Sequence, residues 1–245
     1  MQQHIEIETP RGIMRGYFHR PNKDSFPVCI IFHGFTGQKT GTKFSYVQIS
    51  RQLEKQGIGS LRMDFLGSGE SDLGFENMTF SEELKEAIIQ LEKVLEMPEV
   101  TEIYVLGHSM GGAIASEVAK RYPQIIQRLC LWAPAYSLPA TLRQLQNERQ
   151  SVAKGIYDHG GFKISEDFVE DIISWNLYKD LGIYQNKLLV IHGTKDTTVP
   201  YAIHKKYLRS FTPDLEFLTI PDGDHNFDKL ADMNTVMDAT LQFLI

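Results

Sequence analysis

The chain has 245 residues, 42% hydrophobic and 23% charged, with 25 Lys and Arg against 31 Asp and Glu and a formal net charge of −6. That length and balance fit one large α/β domain with a packed core, and they argue against a polyanion such as nucleic acid as partner. There is no run of about 18 apolar residues to predict a membrane span, and the two cysteines carry no metal-ligand spacing, so neither a metal nor a disulfide scaffold is expected.

The start, Met1-Gln2-Gln3-His4-Ile5-Glu6, lacks the basic and apolar regions of a secretory signal, which predicts a cytoplasmic protein. Alternation over 4–9 and 13–19 around Pro10-Arg11-Gly12 predicts an N-terminal antiparallel hairpin. The apolar run 27–32, which contains Cys29, predicts a strand buried on both faces. A helix over 46–56, a strand over 58–63 and a Gly-rich polar loop over 64–74 follow. In that loop Asp64 and Ser68 are expected to satisfy local backbone groups. Thr79 and Glu82 form a capping-box pattern ahead of a helix that ends near Glu96, before Pro98. Next come a strand over 102–106, a helix over 110–121 and a strand over 126–132 with Cys130 in it. Strands alternating with helices predict a mostly parallel, doubly wound sheet.

The alternation breaks between Ala133 and Tyr184. This stretch holds Pro134, Pro139, His159-Gly160-Gly161 and two helical patches, over 138–153 and 165–175, with no strong buried strand. A break this long predicts a cap over an active site, placed at 134–184 within a single domain of 1–245. The pattern resumes with a strand over 187–192, a helix over 201–209, a strand over 215–220 and a last helix over 234–245.

The chemistry is concentrated at Gly107-His108-Ser109-Met110-Gly111-Gly112, which directly follows the apolar run Ile103-Tyr104-Val105-Leu106. A strand, Gly-x-Ser-x-Gly and a small-residue helix start raise a serine on a sharp turn, where a Cβ in place of either glycine would strike neighbouring backbone. A serine hydroxyl needs a base within hydrogen-bond reach, and the base needs an orienting group. In a doubly wound sheet such groups gather in loops at the carboxyl ends of the strands. Asp196 follows the strand 187–192, and His225 follows the strand 215–220. Ser109 is therefore expected as nucleophile, His225 as general base and then acid, and Asp196 as the orienting acid; Asp222, Asp224 and Asp228 compete for the last role. The loop His33-Gly34-Phe35 predicts an oxyanion hole from the backbone N–H groups of Phe35 and Met110. His33 and His108 are expected to be structural, and His192 has no evident role.

Jointly, His33-Gly34-Phe35, Asp64-Phe65-x-Gly-x-Gly-x-Ser71, Gly-His-Ser109-Met-Gly-Gly, Trp132-Ala133-Pro134-Ala135, His192-Gly-Thr-Lys-Asp196 and Gly223-Asp-His225 resemble the α/β-hydrolase superfamily over essentially the whole chain. Within it, Gly160-Gly161-Phe162-Lys163-Ile164-Ser165 and the compact cap resemble small bacterial carboxylesterases of the cinnamoyl (feruloyl) esterase type. The resemblance implies hydrolysis of small apolar or aromatic acyl esters, hydroxycinnamoyl esters among them, through an acyl-enzyme and without a cofactor. It also shows departures: Met110 stands where those esterases usually carry Gln, and Thr141 and Lys163 stand near the places of their phenol-binding acidic and tyrosine side chains. Tyr136, Leu142, Tyr157, Phe162, Trp175 and Tyr178 are candidates to line an acyl pocket, or else to pack the cap. Monoacylglycerol lipase, thioesterase or carbon–carbon bond hydrolase activity would use the same triad, and a ligand-binding receptor on a hydrolase scaffold is the non-enzymatic alternative. A homodimer is the expectation for an enzyme of this size, with no interface residue to name.

Overall fold

The computed structural model describes residues 1–144, 151–203, 206–207, 210–211 and 215–245. Its centre is an eight-stranded sheet in the order β1-β2-β4-β3-β5-β6-β10-β11. β1 (Gln2–Thr9) and β2 (Gly12–His19) form the predicted antiparallel hairpin, and β2 also runs antiparallel to β4 (Gly59–Met63). All other neighbours are parallel: β4 with β3 (Phe26–Phe32), β3 with β5 (Val100–His108), β5 with β6 (Ile126–Trp132), then β10 (Lys187–Gly193) and β11 (Leu215–Ile220).

Both faces of this sheet are covered, which is why its central strands read as continuous apolar runs. Along β3, Val28, Ile30 and Phe32 join one core, while Cys29 and Ile31 join the other. The first core packs under α2 (Phe80–Leu95) and α3 (Met110–Arg121), and the second under α1 (Ser45–Lys55) and α6 (Leu230–Leu244). Thr79 caps α2, its hydroxyl accepting from the Glu82 N–H at 3.1 Å. Cys29 and Cys130 are buried free thiols. Among the described residues no helix is long and apolar enough to cross a membrane.

From β3 the chain steps outward to β4 and then returns past β3 to β5. The loops after β3 and β5 therefore diverge, and the crevice between them is where an open α/β sheet binds ligands.

Between β6 and β10 the chain builds α4 (Leu138–Gln144), a three-stranded antiparallel sheet of β7 (Ser151–Ala153), β8 (Ile156–His159) and β9 (Phe162–Ser165), and α5 (Glu166–Ser174). α5 answers the expected patch over 165–175, with the Ser165 hydroxyl accepting from the Phe168 N–H at 3.2 Å. The patch over 138–153 does not run through as a helix. Residues 145–150 lie outside the described residues, and 151–153 pair as a strand with β8. The three strands have no buried face except at Ile164 and Ser165, so they left little hydrophobic periodicity to read. Within the expected helix over 201–209, Tyr201–Ile203 form a 3-10 turn and residues 206–207 are helical, with residues 204–205 and 208–209 outside the described residues. α6 begins one turn earlier than expected, at Leu230, which is exposed and so gave no apolar signal.

Candidate active site

Ser109 stands between β5 and α3 with φ 57° and ψ −122°, a left-handed backbone that a residue with a Cβ adopts only under constraint. The constraint is visible in its hydrogen bonds. Its N–H donates to Trp132 O at 2.9 Å, and its own carbonyl accepts from the Ala135 and Gly112 N–H groups at 2.9 and 3.0 Å. The flanking glycines are required by close approach: a Cβ on Gly107 would lie 2.3 Å from Gly111 O, and one on Gly111 would lie 2.4 Å from the carbonyl oxygens of Phe32 and His33.

The structure brings the three expected side chains together. His225 Nε2 is 2.9 Å from Ser109 Oγ, and His225 Nδ1 is 2.7 Å from Asp196 Oδ2. Asp196 follows β10 and is buried, and its Oδ1 accepts from the N–H groups of Thr198 and Val199 at 2.9 and 2.7 Å. Burial alone would push the Asp196 carboxyl up. Hydrogen bonds from His192, His225 and the Val199 N–H outweigh burial and hold it well below the usual carboxylate range.

The competing acids are engaged elsewhere. Asp224 Oδ1 accepts from the Asn226 and Asp228 N–H groups, shaping the loop that carries His225. Asp222 pairs with Lys195 at 2.9 Å, and Asp228 pairs with Lys43 at 2.9 Å.

The two amides expected to face an oxyanion lie beside the serine. Met110 opens α3, where the first N–H groups of a helix have no partner within it. Phe35 lies in the loop after β3, whose neighbouring Gly34 is so close that a Cβ there would lie 2.9 Å from Ser109 Cβ. The Phe35 ring stacks on Phe168 of α5, centroids 5.1 Å apart and planes 12° apart.

Two histidines brace these loops. His33 is buried: its Nδ1 lies 2.9 Å from Gly34 O, and its Nε2 accepts from the Phe65 N–H at 3.1 Å. Burial pushes its pKa down. His108 donates from Nε2 to the backbone oxygen of His225 at 3.0 Å. Burial, followed by the charge of His225, pushes its pKa down to about 3. Behind the loop, Lys39 and Asp64 form a buried pair, so Asp64 does bind local backbone as expected, accepting from the Lys39 and Glu70 N–H groups. Ser68 does not: its hydroxyl is buried without a partner, and Ser71 takes that part, its hydroxyl donating to Asp64 O and accepting from the Arg15 N–H.

Sequence reading missed the setting of His192. It is fully buried, with Nε2 2.8 Å from Val199 O and 3.2 Å from Asp196 Oδ2, and Nδ1 2.7 Å from Tyr207 Oη. A histidine closing the strand that leads to the acid was the available signal.

Over Ser109 lies a cavity of about 510 Å³. One wall comes from the sheet loops, through Phe35, Gln38, Thr42, Tyr46, Val199 and Asn226. The other comes from the segment between β6 and β10, through Leu138, Thr141, Leu142, His159 and Ile164. Of the six expected pocket aromatics and aliphatics, Leu142 alone belongs to this wall. Tyr136 is buried beneath it, its hydroxyl 2.6 Å from Ser116 Oγ and its ring packed against Tyr178. Trp175 packs on Phe80, Phe162 on Phe75, and the Tyr157 hydroxyl bonds Glu166. Burial in the inserted segment's own packing, or contact with its base, takes these side chains away from the serine. Lys163 lies on the exposed part of β9, whereas Thr141 faces the cavity. His159 was not foreseen, because the sequence gave no strand to place it on.

The family model described as serine aminopeptidase, S33, matches residues 23–169. The chain belongs to this family.

The chain is also similar to several known proteins. Mouse palmitoyl-protein thioesterase ABHD10, a mitochondrial protein, is 23% identical over 226 residues, covering 88% of this chain and 74% of that protein. Lipase 1 of Psychrobacter immobilis is 33% identical over 115 residues, 47% of this chain and 33% of the lipase. Among solved structures, Est1E from Butyrivibrio proteoclasticus with ferulic acid bound superposes with a TM-score of 0.86 at 25% identity, covering 98% of this chain and 99% of that one. Mouse ABHD10 itself superposes with a TM-score of 0.82 at 19% identity, over 99% and 98% of the two chains. The S33 member described here is an α/β-hydrolase that resembles feruloyl esterases, and it is a carboxylic ester hydrolase of the esterase and thioesterase type.

Proposed function

We propose that this chain is a serine carboxylesterase acting on small, uncharged apolar or aromatic acyl esters. Ser109 is the nucleophile, His225 the general base and then acid, and Asp196 the group that orients the imidazole. The observation that carries this reading is the unbroken pair of hydrogen bonds from Ser109 Oγ through His225 to Asp196, at 2.9 and 2.7 Å, at the floor of a cavity.

His225 removes the hydroxyl proton as Ser109 Oγ attacks the ester carbonyl. The oxygen that becomes negative turns toward the Met110 and Phe35 N–H groups, which are fixed before the reaction and need no reorganisation. The imidazolium then gives its proton to the departing alcohol, and water, deprotonated by the same ring, releases the acid. Asp196 stays ionised throughout, as its lowered pKa requires.

Residues 134–184 act as a cap that sets the acyl preference. Among the described residues the cavity wall contains no Asp, Glu, Lys or Arg. A substrate with a charged group there would lose its hydration without a partner, so an aminopeptidase substrate with its cationic N-terminus fits poorly. A thioester of an uncharged acyl group fits as well as an oxygen ester, and the thioesterase relative favours it as the second reading.

The test is initial-rate hydrolysis of p-nitrophenyl acetate, butyrate and octanoate, methyl ferulate and an acyl thioester, with Ser109→Ala alongside. Turnover that survives Ser109→Ala overturns the mechanism. A thioester far ahead of every oxygen ester replaces the esterase reading by the thioesterase one.

A further inference from the structure

We propose that His192 is a positioning residue for this hydrolysis, locking the Asp196 carboxylate through the same oxygen that faces His225. The inference rests on Ser109, His225 and Asp196 acting as described above.

The argument is one of hydrogen-bond capacity. An ionised carboxylate has about four lone-pair sites and accepts only. Asp196 Oδ1 takes the Thr198 and Val199 N–H groups, and Oδ2 takes His225 Nδ1, with His192 Nε2 3.2 Å from the same oxygen. Three N–H donors thus bond the carboxylate, and the His192 N–H, whose shorter contact is Val199 O at 2.8 Å, stands 3.2 Å from the remaining site on Oδ2 and restrains its rotation. His192 is itself fixed. Its Nε2 faces two acceptors, Asp196 Oδ2 and Val199 O, so that nitrogen must carry a hydrogen. Its Nδ1 meets the Tyr207 hydroxyl at 2.7 Å, and the edge of its ring meets Tyr201, planes 84° apart. The ring is fully buried in a core where a void or a tilt would be felt.

His192 is absent from the cavity wall, so it acts on substrate only through Asp196 and His225. Losing its N–H removes the positive dipole that stands 3.2 Å from Oδ2. The carboxylate becomes more basic and less firmly aimed. His225 then holds its proton more tightly, while its Nε2 is delivered to Ser109 less reliably. The other titratable groups facing this carboxylate and its imidazole are Tyr207, Tyr201 and His108, the last of them bonded to the His225 backbone.

The experiment compares His192→Leu, which keeps bulk and removes the donor, with His192→Gln, whose amide places an N–H near the lost Nε2. For His192→Leu, kcat should fall at least about 10-fold with KM within about twofold, as expected of a misaimed catalytic group. The acid limb of the kcat/KM profile should move up by about half a pH unit, because a more basic Asp196 stabilises the imidazolium. His192→Gln should recover most of the rate. Equal losses in both variants, or an unmoved acid limb, overturn the inference. If His192→Leu does not fold, Tyr207→Phe decides: the ring keeps its volume and loses its anchor, and an unchanged kcat and limb overturn the inference. Ser109→Ala runs in parallel. If it stays active, the triad reading itself is wrong; if it is dead while His192→Leu matches wild type, only the role of His192 falls.

Discussion

Lys39 donates twice to the buried carboxylate of Asp64, from its backbone N–H at 2.6 Å and from its ammonium at 2.5 Å. The pair joins the loop after β3, which carries Phe35, to the loop after β4. Glu70 accepts from the same ammonium at 2.7 Å.

Replacing Lys39 by Met should therefore leave Asp64 charged, buried and short of its counter-ion, and breaking a buried pair this way costs about 3–5 kcal/mol. Urea denaturation should show the lower midpoint. Activity measured at a temperature where the variant is still folded should also fall, because the Phe35 amide loses its brace. A midpoint within error of wild type contradicts the account.

Asp196→Asn should lower kcat by about 10³–10⁴-fold, because the amide stabilises neither the correct imidazole tautomer nor its charge. Asp222→Asn breaks only an exposed pair with Lys195 and should leave kcat within about twofold, surface pairs being worth little. Steady-state kinetics of the two variants side by side check the choice of acid. A large loss in Asp222→Asn with a small one in Asp196→Asn would reverse it.

His108 gives the fold an acid sensitivity of its own. Its pKa is pushed down to about 3 in the folded protein, while the unfolded chain titrates near about 6.5. Between those values the unfolded state binds the extra proton, so stability falls as pH falls through this window and levels off below it. His108→Asn should flatten that slope. Thermal unfolding between pH 7 and pH 4 measures it, and parallel curves for variant and wild type would show that His108 does not contribute.

His159 meets the Phe35 ring at 5.5 Å from the far side of the cavity. His159→Ala opens the acyl wall at that point without touching Ser109 or His225. It should change kcat/KM for methyl ferulate relative to p-nitrophenyl butyrate by about 10-fold, the scale of one lost pocket contact. Equal changes for both esters would remove His159 from the list of selective contacts.

The sheet was legible because its strands are buried on both faces, and continuous runs such as Val28 to Phe32 and Leu188 to His192 have no other use in a chain of this length. The loops that bring Ser109, Asp196 and His225 together could be placed because each follows such a strand. The three short strands between β6 and β10 were not legible. They are largely exposed, and with no apolar face to repeat every second residue they leave no period. The cavity wall was misjudged for a related reason. Aromatic residues were favoured as lining, but Tyr136 and Trp175 are spent on packing, and beside the expected Leu142 the wall uses Thr141, His159 and Ile164. Nor does composition distinguish His192 from His33 or His108; only the folded distances show which of them reaches Asp196.

β6 and β10 are adjacent, Trp132 opposite Ile191, and the Ala133 N–H donates to Ile191 O at 2.8 Å. Because the two strands are parallel, the whole stretch between them leaves the sheet beyond Trp132, at the end where Ser109 stands, and rejoins it at the opposite end, at Lys187, which pairs with Arg128. Loop closure costs little more when such a loop is lengthened, each doubling adding about 0.6 kcal/mol. Ser109, Asp196 and His225 all lie outside it. Evolution, or an engineer, can exchange this stretch as a cassette and alter what is accepted while leaving the register of every strand, and the three hydrogen-bonded residues, where they are.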